Sequence, residues 1–344
     1  ITCCDSYRRT YDFQGRVFPS IYGLRYIYVH TAVMLLNLRK TEYDQIETTR
    51  SNCAILIPPN AKSTTWRFVV ADASNKVHIY EYKNQVNHIV FKVRNPINRI
   101  RLDEAQVDKQ RYRLLISHGT RISIYSIKGK QLMEYSSNID GTISSMTSVQ
   151  SGVYFVTEAI YQKLVNWEEK EFLLCADKIT DILVLDRVLE CFIPLVILSC
   201  VDRMLRVLKK GIVVAELEVT GPPTCLACAN MQLRSDHVIY GTSDGKVGLV
   251  QLSSGVPLHR WELCSQNTRS AVLSLEHYDL LKDKQEELIV AYEDGLIEVY
   301  TYDEFGYPTL IYETKINQRL TAVRAGNFAH ADFPELVCVT YSGK

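Results

Sequence analysis

The chain has 344 residues, with 39 basic and 39 acidic side chains, so its formal net charge is zero. That length fits two ordinary domains or one large all-β unit, and the charge balance excludes the broad positive field that draws proteins to nucleic acid or anionic membranes. The longest apolar stretch, residues 191–201, contains a proline and is about half the length of a bilayer-crossing helix, so no transmembrane span is expected.

At the start of the chain, Arg8, Arg9, Asp12, Arg16 and Arg25 interrupt what would have to be a continuous apolar region in a secretory signal, and no such signal is predicted. Ten cysteines fall at irregular intervals, mostly inside apolar runs such as Phe172 to Ala176, where a thiol acts as a small hydrophobe. They read as reduced, in the cytosol or a compartment continuous with it.

From residue 69 onward a unit recurs: an apolar β-branched run, a polar turn with Asp or Gly, then a second alternating run, which together read as a hairpin. The copies start at Val69, Leu115, Tyr154 (a weaker one), Val196, Ile239 and Leu288, and a last one ends at the C-terminus. The end of the first strand in each gives Ala71, Ser117, Thr157, Val201, Ser243, Glu293 and Tyr341, separated by 46, 40, 44, 42, 50 and 48 residues. A period of roughly 40–50 residues with four short strands per repeat is the signature of propeller blades.

Ahead of the hairpins, Thr142–Val149, Thr224–Ala229, Ala271–Glu276 and Leu320–Ala325 are predicted innermost strands, and Gly221-Pro222-Pro223 ends the strand before it. No helix longer than about two turns is expected. The sequence thus predicts an all-β, seven-bladed β-propeller (WD40-like) over residues 34–344, its last blade incomplete at the C-terminus, with Glu42–Thr49 placed to add a closing strand and spare the ring an open edge. Residues 1–33 have no repeat to join and are expected to be peripheral and poorly ordered.

The runs Asp202–Leu208, Glu218–Thr224, Gly241–Lys246 and Asp294–Tyr300, with Ile127–Gln131 and Ala176–Ile179 upstream, resemble in order the landmarks of the Bardet-Biedl syndrome 7 propeller family. The resemblance runs from about Leu36 to Lys344 and departs at residues 1–33, which it reads either as a lineage-specific extension or, in preference, as lying upstream of an initiator at Met34. What it implies is a non-enzymatic scaffold subunit of the BBSome, a coat-like adaptor complex that moves membrane-protein cargo to and from cilia. It further implies pairing with BBSome subunit 2, assembly with subunit 9, indirect contact with cargo, and a location in the cytoplasm, cilium, basal body and centrosomal region. A continuation through a coiled coil, an adaptin-ear-like domain and a platform domain is implied as well. The alternatives are a WD-repeat-like adaptor outside the cilium and a propeller enzyme, though the Trp-Asp and Gly-His landmarks of WD repeats are missing from the blades.

Several motifs invite a chemical reading. Gly241-Thr-Ser243-Asp-Gly245 satisfies the nucleophile-elbow pattern, but strands are predicted on both flanks where that elbow needs a helix. Cys225 and Cys228 have C-x-x-C spacing, yet on a strand positions i and i+3 point to opposite faces. The carboxylates of residues 279–287 and 326–335 resemble calcium loops with broken alternation and no central glycine. The eight histidines (30, 78, 88, 118, 237, 259, 277 and 330) form no recognisable catalytic set. Catalytic, cofactor-binding and metal residues are therefore all expected to be none, and no nucleic acid is expected as partner.

Overall fold

The computed structural model describes residues 25–27, 35–60, 65–83, 85–103, 112–185, 193–231, 234–253, 256–263, 269–329 and 333–344. Most of residues 1–33, including His30, lies outside them, as does His330. Arg25–Ile27 (β1) pairs antiparallel with Leu35–Asn37 (β2).

The remaining strands form a ring of antiparallel sheets. The first blade is β3 (Thr49–Ile57), β4 (Arg67–Asp72), β5 (Lys76–Lys83) and β6 (Gln85–Lys92). The second is β7 (Arg99–Leu102), β8 (Arg113–His118), β9 (Arg121–Ser126) and β10 (Gln131–Ser136). The third is β11 (Ile143–Val149), β12 (Gly152–Thr157), β13 (Ile160–Val165) and β14 (Glu168–Leu174). Then come β15 (Ile179–Leu185), β16 (Leu195–Cys200), β17 (Met204–Lys209) and β18 (Ile212–Glu218). The fifth holds β19 (Pro223–Met231), β20 (Arg234–Thr242), β21 (Val247–Ser253) and β22 (Val256–Leu263). The sixth holds β23 (Val272–Tyr278), β24 (Glu287–Tyr292), β25 (Leu296–Tyr302) and β26 (Pro308–Lys315).

The expected count of seven blades is corrected to six four-stranded ones. The last repeat supplies only β27 (Leu320–Gly326) and β28 (Glu335–Thr340), a two-stranded sheet between the sixth blade and the first. Glu42–Thr49 does not bring it a strand: residues 42–48 are irregular, and Thr49 opens β3 instead. In that stretch Glu42, Asp44, Gln45 and Glu47 leave no apolar alternation for a sheet face. Two backbone bonds tie it to the two-stranded sheet, Ile46 N to Gly343 O (2.9 Å) and Thr49 N to Tyr341 O (3.1 Å). Beside them the Thr49 and Thr321 hydroxyls meet at 2.6 Å, and Ala54, Phe68, Val70 and Tyr80 pack on Ala322, Phe328, Val337 and Val339.

The sequence pattern follows burial. Second strands such as β16 and β24 are buried along their whole length, which is why they read as unbroken apolar runs. Outermost strands alternate or are almost wholly exposed, as in β10 and β18. The core lies between blades: Val69, Val77 and Ile79 of the first pack with Ile100, Leu114 and Ile116 of the second.

The recurrent polar turn has one geometry. A backbone N–H returns three residues to the end of the second strand: Asn75 to Asp72, Arg203 to Cys200, Gly245 to Thr242, Gly295 to Tyr292 and Gly343 to Thr340, all at 3.0–3.2 Å. The donor residue has positive φ each time (67°, 66°, 83°, 97° and 85°), so Gly or Asn is favoured and Arg203 is the costly exception. The residue before the turn braces it further, since Asp72 Oδ1, Thr242 Oγ1 and Thr340 Oγ1 accept the N–H of Lys76, Lys246 and Lys344.

Candidate interaction face and central channel

Because strands alternate in direction, all turns between second and third strands emerge on one face of the ring. That face carries exposed ion pairs at its turns: Arg203–Glu218 (2.6 Å), Lys315–Asp294 (2.7 Å), Arg319–Glu293 (2.9 Å) and Arg121–Glu134 (2.8 Å). Exposed pairs add about 0–1 kcal/mol each to stability. Their side chains can therefore be re-paired by an incoming partner at little cost to the fold.

The motifs that invited a chemical reading take up structural duties. Ser243 and Gly245 lie in the turn joining strands β20 and β21, with Gly241 in β20 just before it and the Thr242 hydroxyl bonded to Asp244 Oδ1 at 2.6 Å. Cys225 packs between the fifth and sixth blades and Cys228 against the cluster between the fourth and fifth, on opposite faces of one sheet. Burial pushes their thiols up to about 12 and about 11, away from the thiolate a metal needs. In the loop after β23, the Asp279 carboxylate accepts the N–H groups of Asp283 and Lys284, and Glu287 Oε2 those of Leu280 and Leu281. Glu335 Oε2 accepts Ala329 N one repeat later. Among the described residues no three His, Cys, Asp or Glu side chains are grouped to hold a metal.

Three histidines sit in two polar chains. His78 joins Asp72 Oδ2 (2.9 Å) to His88 (3.0 Å), and His88 stacks on Tyr80, whose hydroxyl donates to Asp44. His118 Nε2 lies 2.7 Å from the Ser123 hydroxyl, which lies 3.3 Å from Glu134. In a hydrolytic triad the imidazole stands between acid and nucleophile. Here the hydroxyl stands in the middle, and Ser123 is fully buried, so the chain braces the hairpin.

Charge gathers instead on the innermost strands. A bulge between Ile179 and Asp181, repeated between Ile143 and Ser145, Val272 and Ser274, and Leu320 and Ala322, sets these strands in common register. Asp181 and Arg99 fall at one level, each opposite the next-to-last residue of its second strand, Ser199 and Ser117. Two residues further on, Arg101, Glu276 and Arg324 share the next level. Arg99 Nη2 donates to Asp181 Oδ1 at 2.7 Å, which also accepts the Ser145 hydroxyl at 2.6 Å, while Asp181 Oδ2 accepts Leu226 N at 3.0 Å. Arg324 bonds Glu276 (2.8 Å), Ser274 (3.0 Å) and the carbonyl of Ala54 (3.0 Å). Arg101 donates to the carbonyl of Ile100 at 3.1 Å, and no carboxylate lies within ion-pair reach of it among the described residues. Desolvation, aided by Arg99 and Arg324, pushes its guanidinium down to about 9, and burial raises the Glu276 carboxyl.

None of these five residues was nominated from sequence. The signal that could have found them is register: once the blades are aligned on their turns, Arg99 and Asp181 share one level of the innermost strands and Arg101, Glu276 and Arg324 the next.

A sequence-family model described as BBS7 beta-propeller matches residues 55–344. The chain belongs to the BBS7 β-propeller family. It is 30% identical over 315 residues to the mouse "BBSome complex member BBS7", covering 90% of this chain and 44% of that protein. To the Caenorhabditis elegans "BBSome complex member bbs-7" it is 20% identical over 313 residues, 89% of this chain and 43% of that one. It thus spans less than half the length of these curated relatives. Among solved structures it is similar to BBS1N in a crystal complex with ARL6DN (TM-score 0.68, 17% identity, 86% of this chain and 90% of that). It is also similar to the WD40 β-propeller domain of Doa1 (TM-score 0.65, 11% identity, 88% and 92%). These two likenesses show the fold alone. Of the four runs resembling the BBS7 family, 202–208, 241–246 and 294–300 are turns of the ion-paired face with the strands that follow, and 218–224 is the crossing between the fourth and fifth blades.

Proposed function

We propose that this propeller is part of a BBSome subunit and serves as a non-catalytic scaffold in a coat-like adaptor complex carrying membrane-protein cargo to and from cilia. The observation that carries this reading is the BBS7 family match across residues 55–344. The physical support is a rigid ring offering a broad turn-built face, whose chemically suggestive motifs are spent on its own backbone. Its partners are BBSome subunits, with subunit 2 the direct pair and subunit 9 a neighbour in the assembly, and it meets cargo only through the complex. It requires no cofactor and binds no nucleic acid. Its expected location is the cytoplasm, the basal body, the centrosomal region and the ciliary membrane.

No helix among the described residues is long and apolar enough to cross a membrane. Proximity labelling and imaging of the full-length protein in ciliated cells test the proposal. BBSome subunits among the labelled neighbours and signal at cilium and basal body are expected; a diffuse protein with no BBSome neighbour would overturn it. The interface is tested separately by co-purification with subunit 2. Recovery as strong with residues 34–344 as with the full chain would place the main contact on the propeller.

A further inference from the structure

The two inner levels of the channel hold three guanidinium groups, Arg99, Arg101 and Arg324, but two carboxylates, and both carboxylates are engaged. Asp181 is held by Arg99, Ser145 and Leu226 N, and Glu276 by Arg324. Arg101 is left over. It is partly buried, its bond to Ile100 O is to a neutral neighbour, and it feels the like charges of Arg99 and Arg324 more strongly than the opposite ones of Asp181 and Glu276. Arg50, at the start of β3, adds a further cation and reaches Ile97 O at 3.4 Å.

With three guanidinium groups against two carboxylates these levels keep a surplus positive charge, and a guanidinium answers best to a planar or tetrahedral oxyanion, which it grips with two parallel N–H groups. We propose that the central channel binds a small oxyanion, a phosphate or carboxylate group, with Arg101 as its principal ligand and Arg324 as the second positive charge at the same level. The proposal is independent of BBSome membership, since it rests on the inner strands of this chain alone.

Calorimetric titration of the 344-residue chain with inorganic phosphate, and separately with acetate, at ionic strength held constant with chloride, is the test. One saturable site per chain is expected, and whichever anion binds more tightly identifies the chemical source. Arg101→Met should weaken binding about tenfold or more, the loss of a charge-assisted hydrogen bond. Arg101→Lys should retain part of the affinity, and Lys128→Gln, at an exposed turn, should retain all of it. If Arg101→Met fails to fold, Arg101→Lys together with phosphorus line broadening in wild type decides. Absence of saturable binding by either anion, or equal titration of wild type and the Arg101 variant, overturns the proposal.

Discussion

Arg99 of the second blade and Asp181 of the fourth meet at 2.7 Å although 82 residues separate them, bridging over the blade between. Each of the partners is almost fully enclosed. Removing one half of such a pair strands the other, at about 3–5 kcal/mol. Asp181→Ala should lower the free energy of unfolding by that amount in urea titration. Arg99→Met with Asp181→Leu should recover much of the loss; a double variant no better than the sum of the singles would mean the pair is uncoupled.

Burial raises the Glu287 carboxyl to about 7, the charges of Asp283 and Asp279 adding to the effect while the N–H groups of Leu280 and Leu281 oppose it. The folded state therefore binds a proton that the unfolded state gives up near pH 4.5. This contribution is whole below that pH and is lost as pH rises through about 7, up to about 3 kcal/mol in all. Urea midpoints should fall between pH 5 and 8 in wild type, and Glu287→Gln should flatten that part of the curve.

His277 runs the other way. Desolvation lowers its imidazole to about 4, with Nε2 at 3.0 Å from the Tyr302 hydroxyl and Nδ1 without a hydrogen-bond partner. The unfolded chain takes a proton near pH 6.5 that the fold refuses, so stability is full above that pH and is lost as pH falls toward 4. The loss is at most about 3 kcal/mol, less whatever solvent on its open side screens. His277→Phe should be less sensitive to acid, as read from thermal unfolding at pH 4.5 and 7; equal sensitivity would show that His277 is protonated in place.

Gly295 and Gly119 separate two costs of the turn. Both have positive φ, but a Cβ at Gly295 would strike the carbonyl oxygens of Ile316 and Gln318, while one at Gly119 would meet nothing within 4 Å. Gly119→Ala should cost about 1 kcal/mol, the conformational penalty alone, and Gly295→Ala several times that, with the turn displaced. Comparable melting temperatures for the two variants would contradict the collision.

Strand positions were legible because second strands have both faces covered: the predicted ends at Ala71, Ser117, Thr157, Val201, Ser243, Glu293 and Tyr341 fall within one residue of where β4, β8, β12, β16, β20, β24 and β28 stop. The predicted inner strands correspond to β11, β19, β23 and β27. Blade number was not, since counting repeats counts second strands and is blind to whether two outer ones follow. The closing strand assigned to Glu42–Thr49 failed for the related reason that position in the chain stood in for an apolar pattern. Arg101 and Arg324 were hidden because a single charge in a strand looks like a solvent-facing residue, and only the ring brings Arg101, Glu276 and Arg324 to one level.

Thr49 cannot find Thr321 until 272 further residues have been made. At roughly 5–20 residues per second, a ribosome leaves Phe68, Val70 and Tyr80 without their cover for on the order of tens of seconds. The nascent chain is then a natural client for chaperones that shield apolar surface, and destabilising substitutions on either side of this seam should lower yield in cells more than equal losses elsewhere in the ring.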